Sequence, residues 1–360
     1  MIEALRKLDR KFLILVACLI LIPLLLILFL VLAQGCSNKK TGYSKYEFQM
    51  ESAAKKYLTK IDNLPTEDGQ YVVVDLSTLV ENSYIKSPAK ALNDSTCTGY
   101  VGVRKDNKVV YTSVLKCDKY RTNTLAETLK KDITTDSDGL YETNEGYVYK
   151  GLNTNNYISL GGVEYRIIGI TNANAVKVYK VESENINIRW DFKYNVDTNT
   201  NVGINIYKDS YMLEQLNKIY DTSSKIKKVK SHLVPVDVCV YSKGKNEKML
   251  DKTNCHESLE SQYITLLSLD DFMNASLDPN CSDLYSKSCR NYNYLGRVGV
   301  STWTKDTVAD NSYQVYYISN GVPSPEDTNL YYGYNIVLHV NGDSLVQSGD
   351  GTKKSPYVIK

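Results

Sequence analysis

The sequence predicts an α+β chain. It reads as a membrane-spanning helix and an amphipathic stalk helix, a small disulfide-stapled β-rich module, and a larger loop-rich α+β domain. Three observations carry this. Residues Phe12–Ala33 hold no charge and are long enough for one bilayer-spanning helix, which needs about twenty residues. Within residues 43–61, Tyr46, Met50, Ala53, Ala54, Tyr57 and Leu58 recur at intervals of three and four, the period of an amphipathic helix. Beyond Leu64-Pro65, short β-branched runs alternate with turns rich in Asn, Asp and Gly, as strands and connecting loops are written.

The resulting division is a basic cytoplasmic N-terminus (1–11), a signal anchor (12–33), a juxtamembrane stalk (34–65), a small module (66–122), a linker (123–138) and a C-terminal ectodomain (139–360). Arg6, Lys7, Arg10 and Lys11 precede the apolar run and only Lys39, Lys40 and Lys45 follow closely. The positive-inside rule therefore places the N-terminus inside and the long C-terminal part outside the cell, as a single-pass membrane protein. Pro23 is tolerable in such a helix, since neighbouring groups can satisfy the freed carbonyl. A cleaved secretory peptide has a shorter apolar core. A lipoprotein is the other alternative, because Ala33-Gln34-Gly35-Cys36 has a Gly before a Cys that could be lipidated.

With 43 Lys+Arg against 41 Asp+Glu, a nucleic-acid partner has no electrostatic support. The 30 Tyr against 5 Phe and 2 Trp give an apolar body with a polar tip at many positions, useful in half-buried sheets and at recognition surfaces.

In the small module, Tyr71–Val74 reads as a strand, Leu76–Val80 as a short helix, and Gly99–Asp106 with Lys108–Leu115 as a hairpin turning at Asp106-Asn107. Cys97 and Cys117 flank that hairpin, where an antiparallel pair brings them together. A short helix and a polar linker follow at 123–138. The larger domain shows strands at Val163–Ile170, Val176–Val181, Val234–Tyr241, Ile264–Leu269, Val298–Thr302, Gln314–Ile318 and Tyr334–Val340, with one clear helix at about Ser210–Asp221.

Of the eight Cys, Cys18 lies in the apolar run and Cys36 at its edge. The other six are an even number in a secreted context, which implies disulfides. Sequence neighbourhood favours Cys97–Cys117, Cys239–Cys255 and Cys281–Cys289. The competing reading is zinc held by Cys239, Cys255, His256, Cys281 and Cys289, without the usual CxxC spacing.

Several stretches resemble a family of membrane-anchored Gram-positive surface proteins whose C-terminal domain has no known function. They are Gly139-Leu140-Tyr141, Tyr149-Lys150-Gly151, Asn155-Asn156-Tyr157-Ile158, Tyr165-Arg166-Ile167-Ile168, Trp190-Asp191 and the closing Ser348-Gly349-Asp350-Gly351-Thr352 with Pro356-Tyr357. The resemblance covers about residues 138–360. Tyr165 stands where the family commonly has Trp, and Tyr334–Leu338 lacks the Arg-Pro usual before the last strand. The resemblance implies a C-type-lectin-like or formylglycine-generating-enzyme-like fold whose termini pair in one sheet; fold alone does not fix function. The layout of anchor, stalk helix and β-rich head also resembles pilins and pseudopilins, which would make the chain a self-associating assembly subunit.

Candidate chemistry is sparse. None of His232, His256 and His339 sits in a recognisable catalytic pattern, and each reads as an ordinary surface or core histidine. No catalytic residue is assigned. Asp197, Asn199 and Asn201 form a weak calcium candidate: the loop Gly203 comes one position late and Lys208 stands where a bidentate Glu belongs, so a solvated loop is the alternative. Trp190, Trp303, Tyr316, Tyr317, Tyr331, Tyr332 and Tyr334 are the candidate ligand groove, since flat aromatics suit sugars and peptides alike; core packing explains the two Trp as well. The function expected is an extracellular binding or adhesion module for a glycan or protein partner. The alternative is an envelope hydrolase using carboxylates such as Asp191 or Asp209.

Overall fold

The computed structural model describes residues 42–106, 108–182, 184–244, 255–283, 285–296 and 301–359. The apolar run Phe12–Ala33, Cys18, Cys36, the Asn107 turn and Val298 lie outside these residues. Among the described residues no helix is long and apolar enough to cross a membrane.

The chain forms two compact units. The smaller holds, among the described residues, 42–63 together with Val74–Val101 and Ser113–Arg121. Its first element is a helix over residues 42–60, stopped before Pro65, which cannot continue it. The expected stripe is its inner face: Tyr46, Met50, Ala53, Ala54 and Leu58 are all buried. Polar groups beside the stripe fix the packing. Tyr46 Oη donates to the Lys86 carbonyl at 2.6 Å, and Glu51 accepts from the Ser113 hydroxyl at 3.1 Å. Tyr120 Oη donates to Glu47 at 2.9 Å, while its ring stacks on Tyr43 at 4.7 Å. The stripe is thus the buried face of this helix.

Strands Thr98–Asp106 and Lys108–Lys116 form the expected hairpin, with Tyr71–Asp75 on the other flank of Thr98–Asp106. Cys97 and Cys117 are joined across its open end. Closing a loop of this size stabilises the fold by about 3 kcal/mol through the unfolded chain.

The larger unit holds Leu64–Val73, Gly102–Thr112 and Thr122–Lys360. Its first helix, Leu125–Leu129, begins at Thr124, whose hydroxyl accepts from Glu127 N. Leu125, Ala126 and Leu129 enter the main core, so the segment read as a linker is part of the larger fold.

A nine-stranded sheet organises this unit. Its order is Ile264–Leu266, Ile336–Asn341, Ala175–Lys180, Val163–Thr171, Tyr157–Leu160, Tyr357–Ile359 and Val346–Ser348, with the hairpin Gly139–Thr143/Gly146–Lys150 attached to Val163–Thr171. One long strand, Val163–Thr171, serves three neighbours, and its pairing with Ala175–Lys180 shifts register between Ile167 and Gly169. Its first half pairs with Tyr157–Leu160 and its second with Gly146–Lys150. A Cβ on Gly169 would lie 2.1 Å from the Tyr147 carbonyl, so the crossing needs glycine. The C-terminal Tyr357–Ile359 strand pairs in parallel with Tyr157–Leu160.

Arg166, in the Tyr165–Ile168 run, locks this sheet. Its Nε donates to Asn156 Oδ1 at 2.8 Å and Nη2 to Thr154 Oγ1 at 2.7 Å. The rings of Tyr157 and Tyr294 lie 4.5 and 4.4 Å from the guanidinium carbon, a buried cation satisfied by hydrogen bonds and ring faces.

A second sheet runs Val322–Asp327, Gln314–Ser319, Thr302–Val308, Tyr331–Tyr334, Glu184–Arg189, with Ser242–Lys243 also on Thr302–Val308. Val236–Val240 and Glu257–Gln262 make a separate ribbon closed by Cys239–Cys255, and Cys281–Cys289 staples a loop. All three expected pairings are present, which leaves no thiolate among these six Cys for zinc.

The expected α+β, C-type-lectin-like class is overturned: the fold is β-rich. Strands dominate the larger unit, whose longest helix, Tyr211–Thr222, has 12 residues. Stretches that read as polar loops are strands, namely Gly139–Thr143, Glu184–Arg189, Glu257–Gln262 and Val322–Asp327. The last two of these carry little apolar signal because they lie at sheet or ribbon margins. Pro323 and Pro325 are tolerated since Val322–Asp327 is an edge strand.

Candidate functional site: a cleft on the central sheet

One further departure from the sequence reading builds the site. The strand expected over Ile264–Leu269 ends at Leu266, and Ser268 caps a short helix, Leu269–Asn274. Ser268 Oγ accepts from Asp271 N, and Asp271 Oδ2 accepts from Ser268 N, both at 3.0 Å. This is a capping box with Asp at its third position. Asp306, wholly buried, accepts from Leu269 N at 2.6 Å and from Tyr241 N at 3.1 Å, which pins the start of the same helix.

The helix stands over the face of the central sheet. There Lys177 and His339 are direct cross-strand partners, so their side chains emerge side by side. Lys177 Nζ donates to Asp271 Oδ1 at 2.7 Å and Oδ2 at 2.6 Å. Burial opposes the Asp271 charge, but Lys177 and the Ser268 hydrogen bonds outweigh it and hold the carboxyl below the usual range. His339 is 3% exposed. Burial, then the nearby Lys177 ammonium, pushes it down to about 3, so the ring is neutral at ordinary pH. Its Nδ1 is buried without a hydrogen-bond partner among the described residues.

These groups floor a cleft of about 1360 Å³, larger than the about 300–1,000 Å³ of a single small-molecule site. Lys305 reaches it from Thr302–Val308, donating to the Cys239 carbonyl and lying 5.4 Å from the Tyr241 ring centroid. Burial, then the charges of Glu145, Asp270, Asp306 and Asp271, pushes the Tyr241 phenol up to about 12. Seven carboxylates line the cleft (Glu67, Asp68, Glu145, Asp237, Glu260, Asp270 and Asp271) against the ammoniums of Lys177 and Lys305.

The aromatic residues expected to line a groove are divided between core and surface. Trp190, Trp303, Tyr316 and Tyr334 are buried. Trp190 Nε1 donates to the Thr304 carbonyl and Trp303 Nε1 to the Ile188 carbonyl, at 3.0 and 2.8 Å. Tyr316 faces the opposite side of its strand from Tyr317 and meets the Tyr285 hydroxyl at 3.1 Å. Tyr317 and Tyr332 are half-buried and stack at 4.6 Å over Trp303. Tyr331 is 56% exposed, with Arg189 over its ring at 4.7 Å and Phe192 continuing the surface beyond. Of the predicted set, only Tyr317, Tyr331 and Tyr332 are reachable from solvent.

Asp197, Asn199 and Asn201 are exposed. The inner Asn195 organises that loop instead: its Oδ1 accepts from Asp197 N at 2.9 Å, and Tyr194 Oη donates to Asn199 Oδ1. Asp191 is wholly buried and spends its carboxylate on Ile204 N at 2.9 Å and Tyr211 N at 3.1 Å. Asp209 is exposed. His232 is half-buried beside Ser344, and His256 is exposed.

Lys177, Asp271 and Lys305 were not singled out from the sequence, and His339 read as ordinary. A signal existed in each strand: a single ionisable residue amid β-branched neighbours, in Val176-Lys177-Val178 and Leu338-His339-Val340. Their pairing register was not legible. The chain matches no known protein family, no curated protein and no solved structure.

Proposed function

We propose that this chain is an extracellular, membrane-tethered binding module that takes a segment of a glycan in the central cleft. The observation that carries the reading is the floor, where an already neutralised Lys177–Asp271 pair lies beside the neutral His339, whose Nδ1 has no hydrogen-bond partner among the described residues. Lys177 has three donors and Asp271 uses two, leaving one for a ligand. His339 Nδ1 accepts or donates according to tautomer. A hydroxyl group satisfies either, and adjacent sugar hydroxyls match two adjacent groups. The Tyr147 and Tyr241 rings in the wall offer faces for a pyranose ring. Placement outside the cell is supported by the three disulfides and by the uncharged Phe12–Ala33 run.

The test is a glycan-array screen of the full chain in detergent, followed by titration of each hit against His339→Leu and Tyr331→Ala. Binding weakened at least about tenfold by His339→Leu and untouched by Tyr331→Ala supports the cleft, since losing one hydrogen bond in a dry site has a cost of that order. The reverse pattern moves the site to the aromatic surface. Absence of any saturable glycan binding by a folded chain ends the reading.

A further inference from the structure

We infer that the surface around Arg189 is a second binding site, for sugars that carry a carboxylate on the ring. It stands on residues outside the cleft. Its basis is a comparison of two arginines. Arg166 has the rings of Tyr157 and Tyr294 against its guanidinium, and Asn156 and Thr154 accept from it. Arg189 has the rings of Tyr331 and Phe192, at 4.7 and 5.6 Å, without the acceptors. Among the described residues nothing accepts from it or pairs with its charge, and Nε is buried with no partner. The terminal nitrogens, equally without a described acceptor, are open to solvent. Asp191, Glu326 and Asp327, near in sequence to Arg189 or Tyr331, are spent elsewhere. Asp191 accepts from the Ile204 and Tyr211 amides, Glu326 from Tyr332 Oη at 3.2 Å, and Asp327 from Gln314 Nε2 at 2.6 Å.

An ordinary exposed ion pair contributes little, because two long side chains must be ordered to form it. Here the rings already hold the guanidinium, and its planar fork matches a carboxylate through two parallel hydrogen bonds. The atoms next to that carboxylate then meet Tyr331 and Phe192, which are 56% and 42% exposed. A glutamate side chain brings only a thin methylene arm to two ring faces. A uronic acid carries its carboxylate directly on a pyranose ring, whose broad C–H face suits them. A neutral sugar leaves the guanidinium unmatched.

The experiment titrates the full chain in detergent with a galacturonic acid trimer and with the same trimer fully methyl-esterified, which keeps the rings and removes the charge. The expected result is at least about fivefold tighter binding of the acid form. That preference should vanish in Arg189→Gln and shrink in Arg189→Lys, which keeps the charge but loses the fork. Thermal melts of both variants check folding. Phe192→Ala should weaken the acid and the ester alike, and His339→Leu should leave both unchanged. Equal binding of acid and ester, or an acid preference that survives Arg189→Gln, overturns the inference. So does the absence of saturable binding by a folded chain. Loss of the acid form in His339→Leu instead places it in the cleft and overturns the second site. Equal competition by a tetraglutamate peptide overturns the sugar assignment. Neutral glycans lost on His339→Leu test the cleft separately, so the two readings fail independently.

Discussion

The cleft and the surface around Arg189 hold their cations by different means. In the cleft, Lys177 sits between two carboxylate oxygens at 2.6 and 2.7 Å, inside a concave wall of further carboxylates. At the surface, Arg189 lies over the rings of Tyr331 and Phe192, at 4.7 and 5.6 Å, and Phe192 meets Tyr211 edge-on at 4.9 Å. A carboxylate partner buried with its cation is costly to remove, because the remaining charge is stranded. Ring faces at an exposed site contribute about 0.5–1 kcal/mol and cost little to lose. The comparison teaches that the floor of the concave region is rigid, whereas the flat one can be altered without disturbing the fold.

The largest expected effect comes from beneath the aromatic surface. Trp303→Ala should destabilise the chain by about 3–5 kcal/mol in chemical denaturation, because the indole is wholly buried under Tyr317 and Tyr332. A loss below about 1 kcal/mol would mean that the Trp is not part of the packing.

Lys177→Met should cost a similar amount, about 3–5 kcal/mol, by leaving Asp271 charged and buried. The double variant Lys177→Met/Asp271→Leu should recover much of it. If the double variant is no better than the single one, the pair is not an isolated unit.

His339 sharpens the comparison through pH. Below its ordinary value near 6.5, the unfolded chain takes a proton that the folded ring refuses until about 3. Its contribution is therefore lost as pH falls through that window, with a slope of at most about 1.4 kcal/mol per pH unit. Asp343 acts oppositely: burial, against the pull of Arg104, Asn174 and Tyr71, pushes it up to about 6, so its effect favours the fold as pH falls through 6. The difference between wild type and His339→Gln, measured by denaturation from pH 7 to 4, isolates the histidine. Parallel curves would exclude a neutral buried ring.

The smallest effect is at the surface. Tyr331→Ala should change stability by less than about 0.5 kcal/mol and leave cleft binding intact. A larger loss would show that the Arg189 stack supports the sheet edge.

Local order was legible wherever chemistry is local. The stripe from Tyr46 to Leu58 forms the inner face of its helix, and Ser210 caps the helix that begins at Tyr211. The three disulfides follow sequence neighbourhood because hairpins and short loops bring near cysteines together. Polar edge strands such as Glu184–Arg189 and Val322–Asp327 were not legible, since partners outside the segment supply the hydrogen bonds that make them strands. The aromatic set was legible as a cluster of Tyr and Trp but not as a surface. Alternation along the strands sends Tyr316 inward and Tyr317 outward, and burial depends on which sheet face meets the core.

Sequence by itself determined the apolar run before residue 42, the helix stripe, the turn positions and the cysteine pairs, all set by contacts between near neighbours. Only the tertiary structure decided that His339 faces Lys177, that Asp271 closes over them, and that the linker helix Leu125–Leu129 joins the core. Lys177 and Asp271 are 94 residues apart, and their pairing depends on strand register and burial. Both are properties of the packed sheet rather than of either segment.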